Sequence, residues 1–209
     1  MDNVVHTFVV PTPIGAAHAV AAPSPNPRRA ILLGLLQGGA SQPVPMGRLA
    51  ELAQLADRRA AGAELFRLQR DGWVSGELEP FAPPTGSPNE SLPTLLAQLS
   101  ECGRGILADD RGLCVANSGY APEQARQLSA LAQILHPAQQ KVGHALSDSE
   151  TAPLRMLIQG ADAEHSLSIR QLYLGQRRFH LLLAGTNSSE SPVFVLLIAV
   201  LARRYLGEV

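Results

Sequence analysis

Residues 103–119 (GRGILADDRGLCVANSG) constrain the fold more than any other stretch, because they combine two short strand patterns with a turn sequence. The turn residues 109–112 contain two aspartates and a glycine. Aspartate can accept hydrogen bonds from the backbone of its own turn, and glycine tolerates a positive φ. The pattern therefore predicts a β-hairpin in which Ala108 pairs with Leu113.

A helical pattern follows the hairpin directly, from Pro122 to Leu146. Apolar residues recur there at alternating spacings of three and four, as on one face of a helix. The leucines of this face are Leu128, Leu131 and Leu135. Pro137 interrupts the pattern, because the ring of a proline clashes with the carbonyl group four residues earlier. We therefore expect this helix to kink near His136 or to split there.

Three strand patterns and a final helix complete the C-terminal part of the chain. The strands are predicted over residues 154–159, 166–174 and 178–184. The second strand changes the parity of its apolar positions, which predicts a bulge near Arg170. The third is apolar on both faces, which indicates a central strand. Ser191 and Pro192 can start a helix over residues 193–205, which is apolar nearly all round and should be buried. A further helix is predicted over residues 94–102.

The hairpin sequence ILADDRGL, the small polar residues and glycine after it, and the Leu/Ala-rich helix that follows resemble the roadblock/dynein light chain family. The order of elements over residues 94–209 (helix, hairpin, helix, three strands, helix) agrees with that family from end to end. The resemblance implies an α+β fold, in which a profilin-like, five-stranded antiparallel sheet is flanked by helices.

The same resemblance implies how such a domain acts. Roadblock-like proteins usually dimerise through edge strands and the long central helix, and the platform that results binds small Ras-like GTPases. Some bacterial members act as GTPase-activating dimers, and others serve as adaptors or scaffolds. The implied dimer or partner contacts on this chain are Leu128, Leu131, Leu135, Leu154, Met156 and Ile158. A purely structural role for these residues is the alternative, because they pack within the fold whether or not a GTPase partner exists.

The N-terminal part is predicted to contain a flexible arm, a small helical domain and a linker. Residues 1–27 carry a strand pattern in residues 2–10 and then five prolines, so they form either a disordered, loosely extended tail or a strand that docks on a sheet edge. Residues 28–80 end in a strand, turn and strand pattern over residues 72–78. Their helices are predicted over residues 28–37, 46–55 and 60–71. The proline-rich residues 81–93 form the linker.

The order of elements in residues 28–80 resembles a winged helix-turn-helix domain, with ELFRLQRDGWV at the end of its recognition helix. Leu65 and Leu68 are its predicted core residues, with Phe66 beside them. Four arginines in or just before this helix suit DNA phosphates, guanine edges or a protein partner. They are Arg58, Arg59, Arg67 and Arg70. Seven arginines against six acidic residues leave a charge of only about +1, which favours a protein-interaction role over DNA binding.

The sequence lacks the motifs of common catalytic and metal sites. It has no GxxxxGK[ST] motif and no cysteine pair with zinc-ligand spacing. The turn explains Asp109 and Asp110, and the six histidines have no evident nucleophile and orienting partner. We therefore predict that the protein is not an enzyme and uses no metal or cofactor.

Two other features bear on the compartment. Cys102 and Cys114 are expected to be separate structural thiols in a reducing environment. The longest apolar stretch, residues 193–202, is about half as long as a membrane-spanning helix, so no membrane insertion is expected. These features predict a cytoplasmic protein.

Two classes of function follow from the sequence. The first is a non-catalytic, dimeric adaptor or regulator of a bacterial Ras-like GTPase or of another cytoplasmic protein. The second is a transcription regulator, in which the winged helix binds DNA and the roadblock-like domain forms the homodimer.

Overall fold

The computed structural model describes residues 8–24, 26–38, 47, 50–51, 53–55, 57–146, 155–162, 165–185 and 191–207. The strands within these ranges are β1 (Phe8–Pro11), β2 (Val74–Glu77), β3 (Gly105–Asp109), β4 (Cys114–Ser118), β5 (Arg155–Ile158), β6 (Leu167–Leu174) and β7 (Arg177–Ala184). The helices are α1 (Pro13–Ala19), α2 (Pro27–Gln37), α3 (Arg58–Arg70), α4 (Pro88–Leu99), α5 (Pro122–Leu146) and α6 (Pro192–Tyr205).

The predicted β-hairpin is confirmed by strands β3 and β4, and its turn uses the chemistry that the sequence indicates. The carboxylate oxygen Oδ1 of Asp109 accepts hydrogen bonds from the backbone N–H groups of Arg111 (3.0 Å) and Leu113 (2.8 Å). Gly112 has a φ of +78°, which residues with a Cβ rarely adopt. Asp109 and Gly112 therefore specify this turn locally.

The register of the hairpin differs from the prediction by one residue. Ala108 pairs with Cys114 instead of Leu113, and Leu107 pairs with Ala116. Leu113 stays in the turn because its carbonyl accepts a hydrogen bond from the Asp109 N–H (2.9 Å), while its own N–H donates to the Asp109 side chain. The ladder then shifts between Leu107 and Ala108, which is a β-bulge.

The five-stranded antiparallel sheet that the sequence predicts is confirmed, with the strand order β4-β3-β7-β6-β5. Strand β7 pairs with both β3 and β6, so it is central as predicted. The predicted bulge near Arg170 is wrong, since β6 and β7 pair without a shift from Leu167 opposite Ala184 to Leu174 opposite Arg177. Strand β6 is buried on both faces, so its apolar residues at both parities need no bulge.

Helix α5 continues through Pro137 without splitting, so of the two predicted outcomes the split is wrong, while the kink near His136 stays a prediction. Residues on both sides of the proline contact the sheet. Leu135 packs against buried residues of the sheet, and the side-chain amide of Gln139 donates to the carbonyl of Ile169 (3.5 Å). These contacts attach the helix to the sheet on both sides of Pro137, which offsets the one backbone hydrogen bond that the proline cannot donate.

Helices cover both faces of the sheet. Helix α5 lies on one face, where it closes a small apolar cluster. The buried members of this cluster are Ile106, Ala108, Ala125, Ala132, Leu167, Ile169 and Leu182. Helices α4 and α6 lie on the other face, over a larger cluster that includes Leu107, Leu172 and Leu181.

Helix α6 is buried nearly all round because it lies between the sheet and the N-terminal helices α1 and α2. Ser191 and Pro192 begin it, as predicted. The larger cluster continues through α6 into Ile31 and Leu32 of α2. This core is therefore shared between the N-terminal helices and the sheet, while the division of the chain at a linker over residues 81–93 remains a prediction.

The N-terminal residues 8–11 form a strand that pairs with residues 74–77. Strand β1 pairs antiparallel with β2, from Phe8 opposite Glu77 to Pro11 opposite Val74. The strand, turn and strand pattern predicted for residues 72–78 is therefore wrong, because residues 74–77 form one strand whose partner comes from the N-terminus.

The expectation of a loose, extended arm over residues 11–27 is wrong for residues 13–19, which form helix α1. Thr12 caps this helix, and Pro13 occupies its first position, where the missing N–H has no cost. Val20 follows the helix, and its carbonyl accepts a hydrogen bond from the Tyr173 N–H on strand β6 (2.9 Å). The end of this segment is thus hydrogen-bonded to the five-stranded sheet.

The remaining helices are mostly close to their predicted positions. Helix α3 buries Leu65 and Leu68 as predicted, whereas Phe66 is exposed. Helix α4 begins at Pro88 rather than Thr94, because Ser87 caps it and Pro88 takes the first position. Of the helix predicted over residues 46–55, residues 46, 48, 49 and 52 lie outside the described residues; Gly47, Ala50 and Glu51 are helical, and residues 53–55 are not.

Candidate partner-binding surface

The outer face of α5 carries an exposed apolar stripe with a spacing of four residues. The stripe consists of Ala130, Ile134, Ala138 and Val142. Ile134 is 72% exposed and Val142 is 46% exposed. Isoleucine and valine side chains are normally buried, so a row of this kind on a helix surface marks a candidate contact site.

The leucines predicted for this contact lie closer to the sheet. Leu128 and Leu135 pack against the small apolar cluster beneath α5, and Leu131 is half-buried. The reason is the orientation of the helix, which turns its most apolar positions inward and leaves the stripe on the outside. Leu131 therefore lies beside the stripe, whereas Leu128 and Leu135 hold the helix in place.

Strand β5 forms one edge of the sheet and presents apolar side chains at that edge. Met156 pairs with Ile169, and Ile158 pairs with Leu167. Both partners belong to the small cluster, so Met156 and Ile158 face the side of the sheet that carries α5. Ile158 is 39% exposed, and Leu157 is exposed to a similar degree on the opposite face.

Together, the stripe on α5 and strand β5 form what we call the α5–β5 surface. The predicted contact residues Met156 and Ile158 are part of it, while Leu154 lies outside the described residues. The edge of β5 that no described strand pairs with offers backbone N–H and C=O groups to a further strand, and the stripe offers apolar area on the helix that covers one face of the same sheet.

A polar network attaches the inner face of α5 to strand β7. The guanidinium of Arg178 lies 2.6 Å from Nε2 of His136 and donates to the side-chain carbonyl of Gln133 (3.2 Å). The same carbonyl lies 3.3 Å from Nε2 of His180. The rings of His136 and His180 meet edge to face, with centroids 5.8 Å apart. The position of α5 therefore depends on two adjacent histidines.

Burial and positive neighbours keep both histidines neutral near pH 7. Burial, Arg178 and His136 lower the pKa of His180 to about 4, against a weaker opposing effect of Asp109 and Asp110. Burial and Arg178 also lower the pKa of His136. In the part of the chain that the structure describes, Nδ1 of each ring is buried without a hydrogen-bond partner. Protonation of either ring would place a second charge beside Arg178.

A second network extends the contact of α5 to strand β6. The side-chain amide of Gln171 donates to Gln139 (2.7 Å), and the hydroxyl of Tyr173 donates to the side-chain carbonyl of Gln171 (2.7 Å). Gln140 donates to both Gln171 and Tyr173 (3.2 Å each). These contacts fix the C-terminal half of α5, where Val142 projects.

The four arginines predicted to bind DNA or a partner all lie on α3, but acidic residues engage two of them. Arg67 forms an ion pair with Glu64, and Arg70 forms one with Asp71 (3.1 Å). Both acidic residues also pair with Arg28 of α2 (3.1 and 3.2 Å).

The other two arginines, Arg58 and Arg59, are exposed, and neither forms an ion pair with any described residue. The exposed Phe66 lies on the same helix. Half of the predicted basic face is therefore neutralised within the fold.

Metal binding and membrane insertion each require structural features of their own. No group of three or more histidine, cysteine, aspartate or glutamate side chains is arranged to hold a metal ion. None of the helices in these ranges is both long and apolar enough to cross a bilayer. Cys102 is half-buried and Cys114 is exposed, and both are free thiols.

The sequence contains a pattern for each of two features of α5 that were not predicted, the exposed stripe and the polar contacts with the sheet. The stripe on α5 repeats every four residues, but its alanines are weaker markers than the leucines beside them. The polar inner positions Gln133, His136 and Gln140 are also spaced by three and four residues, which places them on one side of the helix. Their partners on β6 and β7 come from distant parts of the chain, so no local pattern could connect them.

Comparisons with known proteins give weak likenesses only. No protein-family model matches the chain, and no curated protein sequence is significantly similar to it. A roadblock/LC7 domain from Streptomyces avermitilis has 17% identity and a TM-score of 0.35, over 49% of this chain and 83% of that one. MglB from Myxococcus xanthus has 15% identity and a TM-score of 0.34, over 59% and 90% of the two chains.

The gliding protein MglB from Thermus thermophilus has 16% identity and a TM-score of 0.38, over 58% of this chain and 91% of that one. Likenesses of this size do not establish a family or a function. The strand order and the surface described above rest on the structure of this chain alone.

Proposed function

We propose that this protein is a non-catalytic adaptor that self-associates through the α5–β5 surface and presents the paired surfaces to a protein partner. The observation that supports the proposal is an exposed apolar stripe on α5, led by Ile134, on the same molecule as an open apolar strand edge at β5. Exposed apolar patches mark interaction sites, and open strand edges favour pairing.

A second copy of the chain is the simplest occupant of such a surface. In a two-fold dimer each copy contributes the same patch, so an apolar stripe meets an apolar stripe and an edge strand meets an edge strand. Antiparallel pairing of two β5 strands would join the two sheets into one. Helix α5 of each copy would then lie beside its counterpart.

The partner that we infer is a small Ras-like GTPase, and the setting is the bacterial cytoplasm. This inference comes from the roadblock-like hairpin sequence and the order of elements over residues 94–209, to which the five-stranded antiparallel sheet adds support. The chain would regulate or position the GTPase without contributing a reactive group of its own.

Sedimentation velocity of the full chain at several concentrations tests the self-association. We expect a dimer, and Ile134→Asp should weaken it by about 2–4 kcal/mol, because a charge replaces an apolar contact near the centre of the interface. Phe66→Ser is the matched control, since it removes an exposed apolar side chain from α3 and should leave the dimer intact. A chain that stays monomeric across the whole concentration series, or a dimer that Ile134→Asp leaves unchanged, would refute the proposal.

Partner binding has a separate test. A small GTPase from the same genome is loaded with GDP or with a non-hydrolysable GTP analogue, and its binding to the wild type and to Ile134→Asp is measured by calorimetry. We expect binding that depends on the nucleotide and is weaker for the variant. Equal binding by the wild type and Ile134→Asp would show that the GTPase does not bind through the α5–β5 surface.

DNA binding is the second candidate function, and the observation that favours it is the exposure of Arg58 and Arg59 without an ion pair among the described residues. The ion pairs of Arg67 and Arg70 reduce the charge available to phosphates. Fluorescence anisotropy with a random duplex at about 50 and 200 mM salt decides between the two functions. A steep loss of affinity with salt that Arg58→Gln weakens would favour DNA binding.

A further inference from the structure

Three arginines lie around the C-terminal end of helix α6. Arg203 and Arg204 belong to the last turn of the helix, and Arg177 begins strand β7 beside it. Arg177 and Arg204 are exposed, and Arg203 is half-buried. Within the part of the chain that the structure describes, no carboxylate forms an ion pair with any of these three guanidiniums.

The ring of Tyr205 holds two of the guanidiniums. The guanidinium carbon of Arg177 lies 5.5 Å from the centre of this ring, and that of Arg204 lies 5.2 Å from it. The buried Phe179 of β7 packs against the same ring, with 4.8 Å between the centroids, and so fixes its position. An aromatic face attracts a cation, so the two arginine side chains are partly ordered before any ligand binds and lose less rotamer freedom on binding.

The other contacts of the cluster are with uncharged groups. Arg204 donates a hydrogen bond to the side-chain carbonyl of Asn89 (3.0 Å), and the guanidinium of Arg203 lies 3.5 Å from the carbonyl oxygen of Pro84. Glu90, the acidic residue next to Asn89, forms no ion pair with a described residue. The C-terminal end of α6 supplies only about half of a negative charge, so most of the positive charge is left for a ligand.

We propose that this arginine cluster, formed by Arg177, Arg203 and Arg204 around Tyr205, binds an acidic segment of a partner protein. The planar guanidinium matches a carboxylate with two parallel hydrogen bonds, and several oriented guanidiniums match carboxylates spaced along a peptide. Tyr205 and Leu206 are half-buried and offer apolar contact between the charges. The cluster belongs to the side of the sheet that α6 covers, opposite to α5, so the inference goes beyond the proposed self-association and does not depend on it.

The composition of the cluster favours a protein over the two other common polyanions. Single-stranded nucleic acids stack their bases on free aromatic faces, whereas Arg177, Arg204 and Phe179 already contact the Tyr205 ring. Clusters that bind anionic lipids contain at least about four basic residues, and this cluster has three arginines. The net charge of −1 gives the whole chain no general attraction to either polyanion.

Fluorescence anisotropy with the full chain tests the proposal. The probe is a short labelled peptide in which glutamate and alanine alternate, and the reference peptide has lysine in place of glutamate. We expect saturable binding of the glutamate peptide alone, with an affinity that falls several-fold between about 50 and 200 mM salt, because salt screens exposed charges. Arg177→Gln and Arg204→Gln should each weaken binding about two- to fivefold, and the double variant about tenfold.

Two further comparisons make the test specific. Arg111→Gln removes one exposed arginine from the β3–β4 turn, so it is the matched control for charge and should bind the peptide like the wild type. Tyr205→Leu keeps all three arginines but removes the ring that orders them, so it should weaken binding, whereas Tyr205→Phe keeps the ring and should not. If Tyr205→Leu does not fold, the exposed arginine variants decide.

Three results would overturn the proposal. The first is a wild type that shows no saturable binding of the glutamate peptide, or binds the lysine peptide equally well. The second is an unchanged affinity in the double variant of Arg177 and Arg204. The third is tighter binding to phosphatidylserine vesicles or to a single-stranded oligonucleotide that the double variant abolishes, since the cluster would then serve a different anion.

Discussion

His180 provides the most direct test of how α5 is attached to the sheet. Its ring is fully buried between β7 and α5, where it lies 3.3 Å from the side-chain carbonyl of Gln133 and edge to face with His136. We predict that His180→Leu removes much of the loss of stability that the wild type undergoes on acidification. Leucine fills similar space in a central strand and cannot take up a proton.

The sign and size of the effect follow from the pKa. The pKa of His180 falls from 6.5 to about 4 in the folded protein. The unfolded chain therefore binds the proton more readily between these two values, and the free energy of unfolding falls as the pH falls through that window. The full change is about 3 kcal/mol, and about 2 kcal/mol of it is lost between pH 7 and pH 5. His136 is present in both proteins, so the comparison reports His180 together with its coupling to His136.

Urea unfolding at pH 7 and pH 5, followed by circular dichroism, measures the effect as a double difference. Between pH 7 and pH 5 the free energy of unfolding should fall by about 2 kcal/mol more in the wild type than in His180→Leu. His165→Leu, at an exposed position where the ring lies 2.6 Å from the Asp162 carboxylate, shows what the loss of a surface histidine contributes by itself. Equal losses in the wild type and His180→Leu would refute the idea that a buried neutral histidine attaches α5.

Two further predictions concern the N-terminal segment and the hairpin. Gly15→Ala should lower stability by more than about 2 kcal/mol in thermal unfolding, since its Cβ would lie 1.9 Å from the carbonyl oxygen of Trp73. Gly62→Ala, in an open part of helix α3, should instead raise stability by about 0.5–1 kcal/mol; a similar response of the two variants would contradict the packing of α1. Asp109→Ala should lower the free energy of unfolding by about 1–2 kcal/mol, because it removes the acceptor of two turn hydrogen bonds. Asp110→Ala should lower the free energy of unfolding only slightly. An equal loss in the two aspartate variants would show that the negative charge of the turn stabilises it, rather than the hydrogen bonds of Asp109.

Local chemistry was sufficient to predict the elements whose ends are marked by particular residues. Asp109 and Gly112 identify the hairpin turn, and Ser191 and Pro192 identify the start of α6. The central position of β7 followed from apolar side chains on both of its faces. In each case the interactions that specify the element lie within a few residues of one another.

Long-range packing explains the predictions that failed. The prolines before residue 28 predict an extended arm, yet Pro13 and Pro27 each occupy the first position of a helix. Strand β2 takes its partner from residues 8–11, which lie at the far N-terminal end of the chain. Pairings of this kind leave no periodic signal in either segment.

The same distinction between local pattern and long-range packing applies to the candidate surface. Apolar spacing in residues 122–146 was enough to predict an amphipathic helix, because helical periodicity is a local property. Which side of that helix faces solvent depended on the sheet beneath it, where Arg178 and His180 receive the polar inner side and the small apolar cluster receives Leu128 and Leu135. The exposed Ile134 could be recognised only once those contacts were known, since burial is a property of the packed chain and not of any one segment.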